Sequence, residues 1–285
     1  MVDAVVDGIG GSTEFVGVIG DPVRHSLSPR LHNSAYREMG LDLRYGAFRV
    51  PVGEAHGAIN GARSLGFRGL SITTPHKTEA ARYADQRSND VALLGAANTI
   101  VFLASVAVAE STDGDGLLDD LATNENFSPT GKRCVILGAG GAARSIILAL
   151  GRAGAGEIVV INRSEQHATE AVALAPKIAR VGKAEDIDGA PLVINATSMG
   201  LTQSTPDGHD GGLSFGRRVG PGQLAVELSY LSRTPFLTAA VENGATARNG
   251  LGMLVHQAAR QVRLFTGQEA PLSVMWESVR QFISD

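Results

Sequence analysis

The chain has 285 residues, 44% of them apolar and 19% charged, and its 25 basic and 29 acidic side chains give a net charge of -4. That balance excludes a disordered chain and a basic nucleic-acid or anionic-membrane binder. No apolar run approaches the roughly 20 residues that span a bilayer, and the start MVDAVVDGIGGST lacks the basic and apolar regions of a signal peptide. The single cysteine, Cys134, excludes an internal disulfide and fits a reducing, cytoplasmic setting.

A chain of this length accommodates about two domains. Short runs rich in β-branched residues recur at FVGVIG (15–20), RYGAFRV (44–50), GLSITT (69–74) and ANTIVF (97–102), with helical spacing between them. In PRLHNSAYREMG, Leu31, Ala35 and Met39 repeat every four residues, Pro29 suits the first helical position and Gly40 suits the end. A second alternating block runs through KRCVILG (132–138), EIVVIN (157–162), PLVINA (191–196) and QLAVEL (223–228). The alternation predicts two α/β domains with parallel or mixed sheets and crossover helices. The expected division is residues 1–114 as one domain and 115–249 as the other. The apolar stripe Leu251, Leu254, Val255, Ala258, Val262 and Phe265 and the segment 271–283 form helices expected to return to the first.

The first block carries a set of polar groups at strand ends. In GDPVRHSLSP, an extended backbone points the Ser26 and Ser28 hydroxyls the same way, although Ser28 before Pro29 equally suits a helix cap. SITTPHK places Ser71 and Thr73 on one strand face and presents Lys77 after Pro75. Asn98 and Asp113 follow in GAANT and STDGDG. Hydroxyls, an amide, a carboxylate and a lysine are what a small hydroxylated acid needs for recognition. When a cofactor takes hydride from a carbon bearing a hydroxyl, some residue must take the proton, and a lysine oriented by a carboxylate can do so. Read alone, Lys77 is most often an ordinary surface lysine with a buried stem.

In CVILGAGGAARSIILAL a strand runs through Gly138, Ala139, Gly140, Gly141 and Ala142 into a helix, with Ala143 at the third position of the G-x-G-x-x-G/A fingerprint. Such a turn lets backbone approach a pyrophosphate at a helix N-terminus. The next strand tip carries Asn162, Arg163 and Ser164 where an NAD enzyme usually has an acidic residue, which favours NADP. Glu165 one step further is the competing feature, since it can pair with Arg163 on a solvated face. Thr197, Ser198 and Met199 in VINATSMG either line a nicotinamide site or form a plain turn.

GDPVRHSLSP, SITTPHK, GAANT, STDGDG, GAGGAAR, NRS, INATSMG and NGLGMLVHQAA occur in this order over residues 15–265, and together they resemble the shikimate dehydrogenase family. The resemblance implies a substrate domain with a mainly parallel sheet and a Rossmann-type domain, with the active site in the cleft between them. It implies NADP-dependent interconversion of 3-dehydroshikimate and shikimate, with Lys77 and Asp113 as the proton-transfer pair. Ser26, Ser28, Thr73, Asn98, Tyr230 and Gln257 match substrate-holding positions. For the cofactor the matches are Gly138 to Ala142 and Asn162 to Ser164, with Leu228 and Gly250 nearer the nicotinamide.

Ser71 and Ser111 stand where the family usually has Asn, Glu227 where Asp is frequent, and His167 where Arg or Lys is common. A quinate or quinate/shikimate dehydrogenase using NAD or NADP is the alternative, and a non-catalytic ligand sensor a further one. The expected partner is a small molecule, with no nucleic acid and no membrane, and the chain is a monomer or homodimer.

Overall fold

The structure is a computed structural model that describes residues 8–197, 210–230 and 234–282. It divides into two compact units, one made of the residues up to Thr112 with Val255–Phe282, the other of Asp113–Leu254. In chain order the first contains β1 (Glu14–Gly20), α1 (Ser28–Glu38), β2 (Leu43–Arg49), α2 (Ala55–Ser64), β3 (Gly69–Ile72), α3 (Lys77–Tyr83), β4 (Gln86–Arg87), α4 (Asn89–Leu94), β5 (Thr99–Leu103) and β6 (Val106–Glu110). The second contains α5 (Asp113–Asn124), β7 (Arg133–Leu137), α6 (Gly141–Arg152), β8 (Glu157–Ile161), α7 (Glu165–Val172), β9 (Ala179–Val181), β10 (Leu192–Asn195), α8 (Leu213–Gly216), β11 (Leu224–Glu227), α9 (Pro235–Glu242) and β12 (Thr246–Arg248). Helix α10 (Leu251–Thr266) starts in that range and continues into residues of the first unit, followed by α11 (Leu272–Val279).

The first sheet has the order β2-β1-β3-β5-β6-β4. Strands β2 and β3 flank β1 in parallel, with Val18 paired to Ala47 on one side and Ser71 on the other. Strand β5 runs antiparallel to both β3 and β6. Strand β6 escaped the sequence reading because its hairpin turn, Ala104–Ser105, has no Asn-Gly signal; Ala104 adopts φ 55° instead.

Helix α1 departs from expectation at its start. Leu27 holds the cap position, Ser28 is the first helical residue and Pro29 the second. The segment before it is a turn rather than an extended strand, so Ser26 Oγ accepts the Ser28 N–H at 3.2 Å and the two hydroxyls are not an extended pair. The end is as expected: Gly40 takes φ 65°, and Gly40 N–H and Leu41 N–H donate to the carbonyls of Arg37 and Tyr36.

One face of β3 packs Leu70 and Ile72 against Ile19, Ile59, Ala80 and Ile100. The other presents Gly69 and Ser71 to α10, where the Phe265 ring fills the space a Gly69 Cβ would need. At the outer strand, His32 of α1 stacks on Tyr45 with ring centroids 4.1 Å apart. Burial drives the His32 imidazole down to about 3. Next to it, the Asn33 carboxamide accepts the Tyr45 N–H at 2.8 Å and donates to the Tyr45 carbonyl at 2.9 Å. Asn33 thereby supplies the pairing that edge strand β2 lacks on its open side.

The second sheet is fully parallel, ordered β12-β11-β10-β7-β8-β9. This is the 3-2-1-4-5-6 order of a doubly wound fold, whose switch point lies between β7 and β10. Ile136, Ile158 and Ile194 cover one face with Ile146, Ile147 and Leu150 of α6, and Val135, Val159 and Val193 cover the other with Phe236 and Leu237 of α9. Burial on both faces explains why these strands read as unbroken apolar runs.

Candidate active site

In the second unit the residues expected to meet a cofactor sit at the carboxyl ends of adjacent parallel strands. Gly138 follows β7 with φ 107°, and a Cβ there would press on Ala196 and Thr197 after β10. Only glycine satisfies both demands. Gly140 caps α6 in extended backbone and Gly141 begins the helix, and a Cβ built at either meets nothing within 4 Å. The amides at this helix start are therefore approachable by a pyrophosphate, and the turn fits a dinucleotide.

Beyond β8, the Asn162 amide donates to Ser164 O at 2.9 Å, and Ser164 caps α7 by accepting the His167 N–H. Arg163 between them is exposed. Thr197 donates both its N–H and its hydroxyl to Asn195 Oδ1, at 3.1 and 2.7 Å. Leu228 donates its N–H to Asn195 O, and Gly250 donates to Ser229 O at 2.8 Å. Tyr230 ends this stretch half-buried, and burial raises its phenol. Ser198 and Met199 lie outside the described residues.

Asn195 is itself held from β11. Its Nδ2 donates to Glu227 Oε2 at 2.8 Å, both side chains being fully buried. Burial raises the Glu227 carboxyl from 4.5 to about 7, against the donations of Asn195 and Ser229. The folded chain keeps a proton that the unfolded chain has already lost above pH 4.5, so this stabilisation is complete below that pH and disappears as pH rises through 7. Glu227→Gln is therefore expected to exceed the native chain in stability by roughly 2–3 kcal/mol at pH 8 and to match it near pH 4.5. Urea unfolding at both pH values checks this, and a difference independent of pH contradicts it.

In the first unit the strand order brings a polar cluster into an otherwise apolar interior. Asn98 precedes β5 and Thr112 follows β6, so the hairpin sets them side by side. Asn98 Nδ2 donates to Thr112 Oγ1 at 2.9 Å and to Gln257 Oε1 at 3.3 Å, while Thr112 N–H donates to Asn98 Oδ1 at 2.9 Å. Thr112, which the sequence reading missed, also donates its hydroxyl to Gln257 Oε1 at 3.3 Å. Asn98, Thr112 and Gln257 are all buried.

Lys77 is the first residue of α3 and half-buried; its carbonyl accepts the Ala97 N–H at 2.9 Å, which ties it to the residue before Asn98. Thr73 sits just past β3, its methyl packed over Gly20 at the base of the turn carrying Ser26 and Ser28. Asp113 opens α5 in the second unit and is buried. The next residue, Gly114, donates to Ser145 Oγ at 2.9 Å, and a side chain there would strike the Ser145 carbonyl, so the start of α5 is pressed against α6.

A doubly wound parallel sheet with an open glycine turn at its switch point is the architecture of dinucleotide-dependent enzymes. Three family models match the chain: the shikimate dehydrogenase substrate binding domain over residues 18–100, shikimate / quinate 5-dehydrogenase over 120–199 and the shikimate 5'-dehydrogenase C-terminal domain over 250–280. A shikimate dehydrogenase (NADP(+)) of Methanopyrus kandleri is 38% identical over 96% of this chain and 98% of its own. One from Moorella thermoacetica is 41% identical over 95% and 94%. The shikimate 5-dehydrogenase of Thermus thermophilus, solved with NADP(H) and shikimate, superposes with a TM-score of 0.83 at 32% identity, covering 95% of this chain and all (100%) of that one. The chain belongs to the shikimate dehydrogenase family.

Proposed function

We propose that the chain is an NADP-dependent shikimate dehydrogenase that interconverts 3-dehydroshikimate and shikimate in aromatic amino-acid biosynthesis. The observation that carries this reading is the buried cluster of Asn98, Thr112 and Gln257 tied through Ala97 to Lys77. Polar groups inside an apolar core cost free energy unless they are paired, and such a cluster at strand ends suits a polyhydroxylated acid. The two relatives named above are shikimate dehydrogenases with NADP(+).

When bound, NADP accepts or returns a hydride at its nicotinamide. Gly138 to Ala142 would hold its pyrophosphate, and Asn162, Arg163 and Ser164 its adenosine end, where the exposed Arg163 guanidinium suits a 2'-phosphate. Lys77 takes the proton of the substrate hydroxyl in the oxidation direction and returns it in the reduction. Asp113 orients the lysine. Ser26, Ser28 and Thr73, with Asn98, Gln257 and Tyr230, hold the carboxylate and the remaining hydroxyls. The domains assigned to substrate and dinucleotide are residues 1–114 with 250–285, and 115–249. No helix among the described residues is long and apolar enough to cross a membrane, and we read the working compartment as the cytoplasm.

Mixing the purified protein with shikimate or quinate, each with NADP or NAD, and following the absorbance of reduced nicotinamide tests the reading. Turnover is expected to be highest with shikimate and NADP. No reduced nicotinamide in any combination overturns it, and a preference for quinate replaces it with the alternative.

A further inference from the structure

Ser71 is buried in the middle of β3, in register opposite Thr99 of β5, and its hydroxyl donates to Gln261 Oε1 at 2.8 Å. Gln261 lies one helical turn beyond Gln257 on α10, so the two carboxamides share a face. The other end of its carboxamide is also engaged: Nε2 donates to Thr99 Oγ1 at 2.9 Å and to Asn98 O at 3.3 Å. Gln261 is buried, and its amide bridges two strands that present only hydroxyls to each other at this level.

The direction of the hydrogen bonds gives this bridge a consequence. A threonine hydroxyl has one hydrogen to give. Because Gln261 donates to Thr99 Oγ1, the Thr99 hydrogen goes to Asn98 Oδ1, at 2.9 Å. Asn98 Oδ1 then accepts from both Thr99 and the Thr112 N–H, so Nδ2 is the end that turns to Thr112 Oγ1 and Gln257 Oε1. Without the Gln261 donor the Thr99 hydroxyl is released to turn toward Ser71, and the Asn98 amide loses one of the two donors that define which end faces which neighbour.

We propose that Gln261 is a positioning residue for substrate recognition. It stands in for the side-chain amide that Ser71 lacks, and through Thr99 it sets the orientation of the Asn98 carboxamide. The proposal rests on the role given above to Asn98 and Gln257 as substrate-holding groups.

Gln261→Met, which keeps the volume and removes the amide, is the test. We expect KM for shikimate to rise roughly tenfold, the order of one lost oriented hydrogen bond. KM for NADP and kcat should stay within about threefold. Adding an amide from the strand side in Ser71→Asn/Gln261→Ala should recover most of the native KM, because residue 71 faces Thr99 directly. Gln261→Ala alone should not. A loss of stability without a role in positioning would lower the melting temperature while leaving the KM of the folded fraction unchanged.

The exchange rate of the Asn98 side-chain amide protons by NMR provides a readout that needs no substrate. They should exchange faster in Gln261→Met than in the native chain. A native KM or native Asn98 exchange in that variant overturns the proposal. If the native chain does not turn over shikimate, the functional reading fails, and the exchange measurement still decides the role of Gln261.

Discussion

Lys77→Met is expected to lower kcat for shikimate about 10²–10⁴-fold, the usual contribution of a positioned proton-transfer group. KM for NADP and the melting temperature should remain close to those of the native chain. Methionine preserves the apolar stem, so a lysine that merely lays its stem along the surface would be replaced without kinetic effect. Lys77 is the first residue of α3, and its only main-chain tie noted above, the carbonyl contact to Ala97, survives any side-chain change. A kcat within a few-fold of the native value would remove Lys77 from the mechanism. Asp113→Asn provides the companion measurement: it should slow turnover by less than the lysine replacement, because the asparagine amide can still accept a hydrogen bond.

Gly250→Ala is expected to destabilise the chain by about 3 kcal/mol or more, at the high end of overpacking costs. Gly250 is buried at the start of α10, its N–H bonded to Ser229 O and its carbonyl accepting from Leu254 N–H. A Cβ there runs into the carbonyl group of Leu228, which is main chain and cannot swing aside as a side-chain end would. The melting temperature should fall by roughly 6–12 °C for a chain of this size. Any folded protein should bind NADP more weakly, since Leu228 would be displaced. Gly61→Ala serves as a control of opposite sign: Gly61 is exposed in α2 and its Cβ meets nothing within 4 Å, so the change should add about 0.5–1 kcal/mol. A Gly250→Ala protein as stable as the native one would show that the contact relaxes at no cost.

Strands β7, β8, β10 and β11 of the second sheet were legible because their evidence is local, whereas β9 and β12, three residues each, are too short to show a pattern. The strand, the glycine turn and the helix of 133–152 lie within one short stretch, and continuous apolar runs mark strands covered on both faces. The polar cluster of the first unit was legible in residue types but not in arrangement. Asn98 meets Thr112 across 14 residues and Gln257 across 159, and these contacts depend on a hairpin that no turn signal announces and on a helix from the end of the chain. Asn98 was reached from its place at a strand end and Gln257 through motif resemblance, whereas Thr112 beside Asp113 had only its position to offer. Ser71 was flagged as a departure from the usual Asn, but its partner Gln261 is 190 residues away and sits in what reads as an apolar helix. The start of α1 was misread for a different reason: Ser before Pro suits a cap by propensity, yet Leu27 takes that place because the preceding turn is closed by Ser26.

The single carboxamide of Asn33 has a consequence for self-assembly. A sheet grows by templating when an edge strand offers its main chain to another copy. At the rims of the two sheets β4 has two residues and β9 and β12 three each, too short to seed a ladder. Among the edge strands of the described residues β2, with seven residues, is the one long enough, and Asn33 occupies both the donor and the acceptor of its third residue, Tyr45. An incoming strand would have to evict that amide before it could zip along β2. Asn33→Ala is therefore expected to leave the main chain of Tyr45 open to an incoming strand, which a rise in thioflavin T fluorescence relative to the native chain would report.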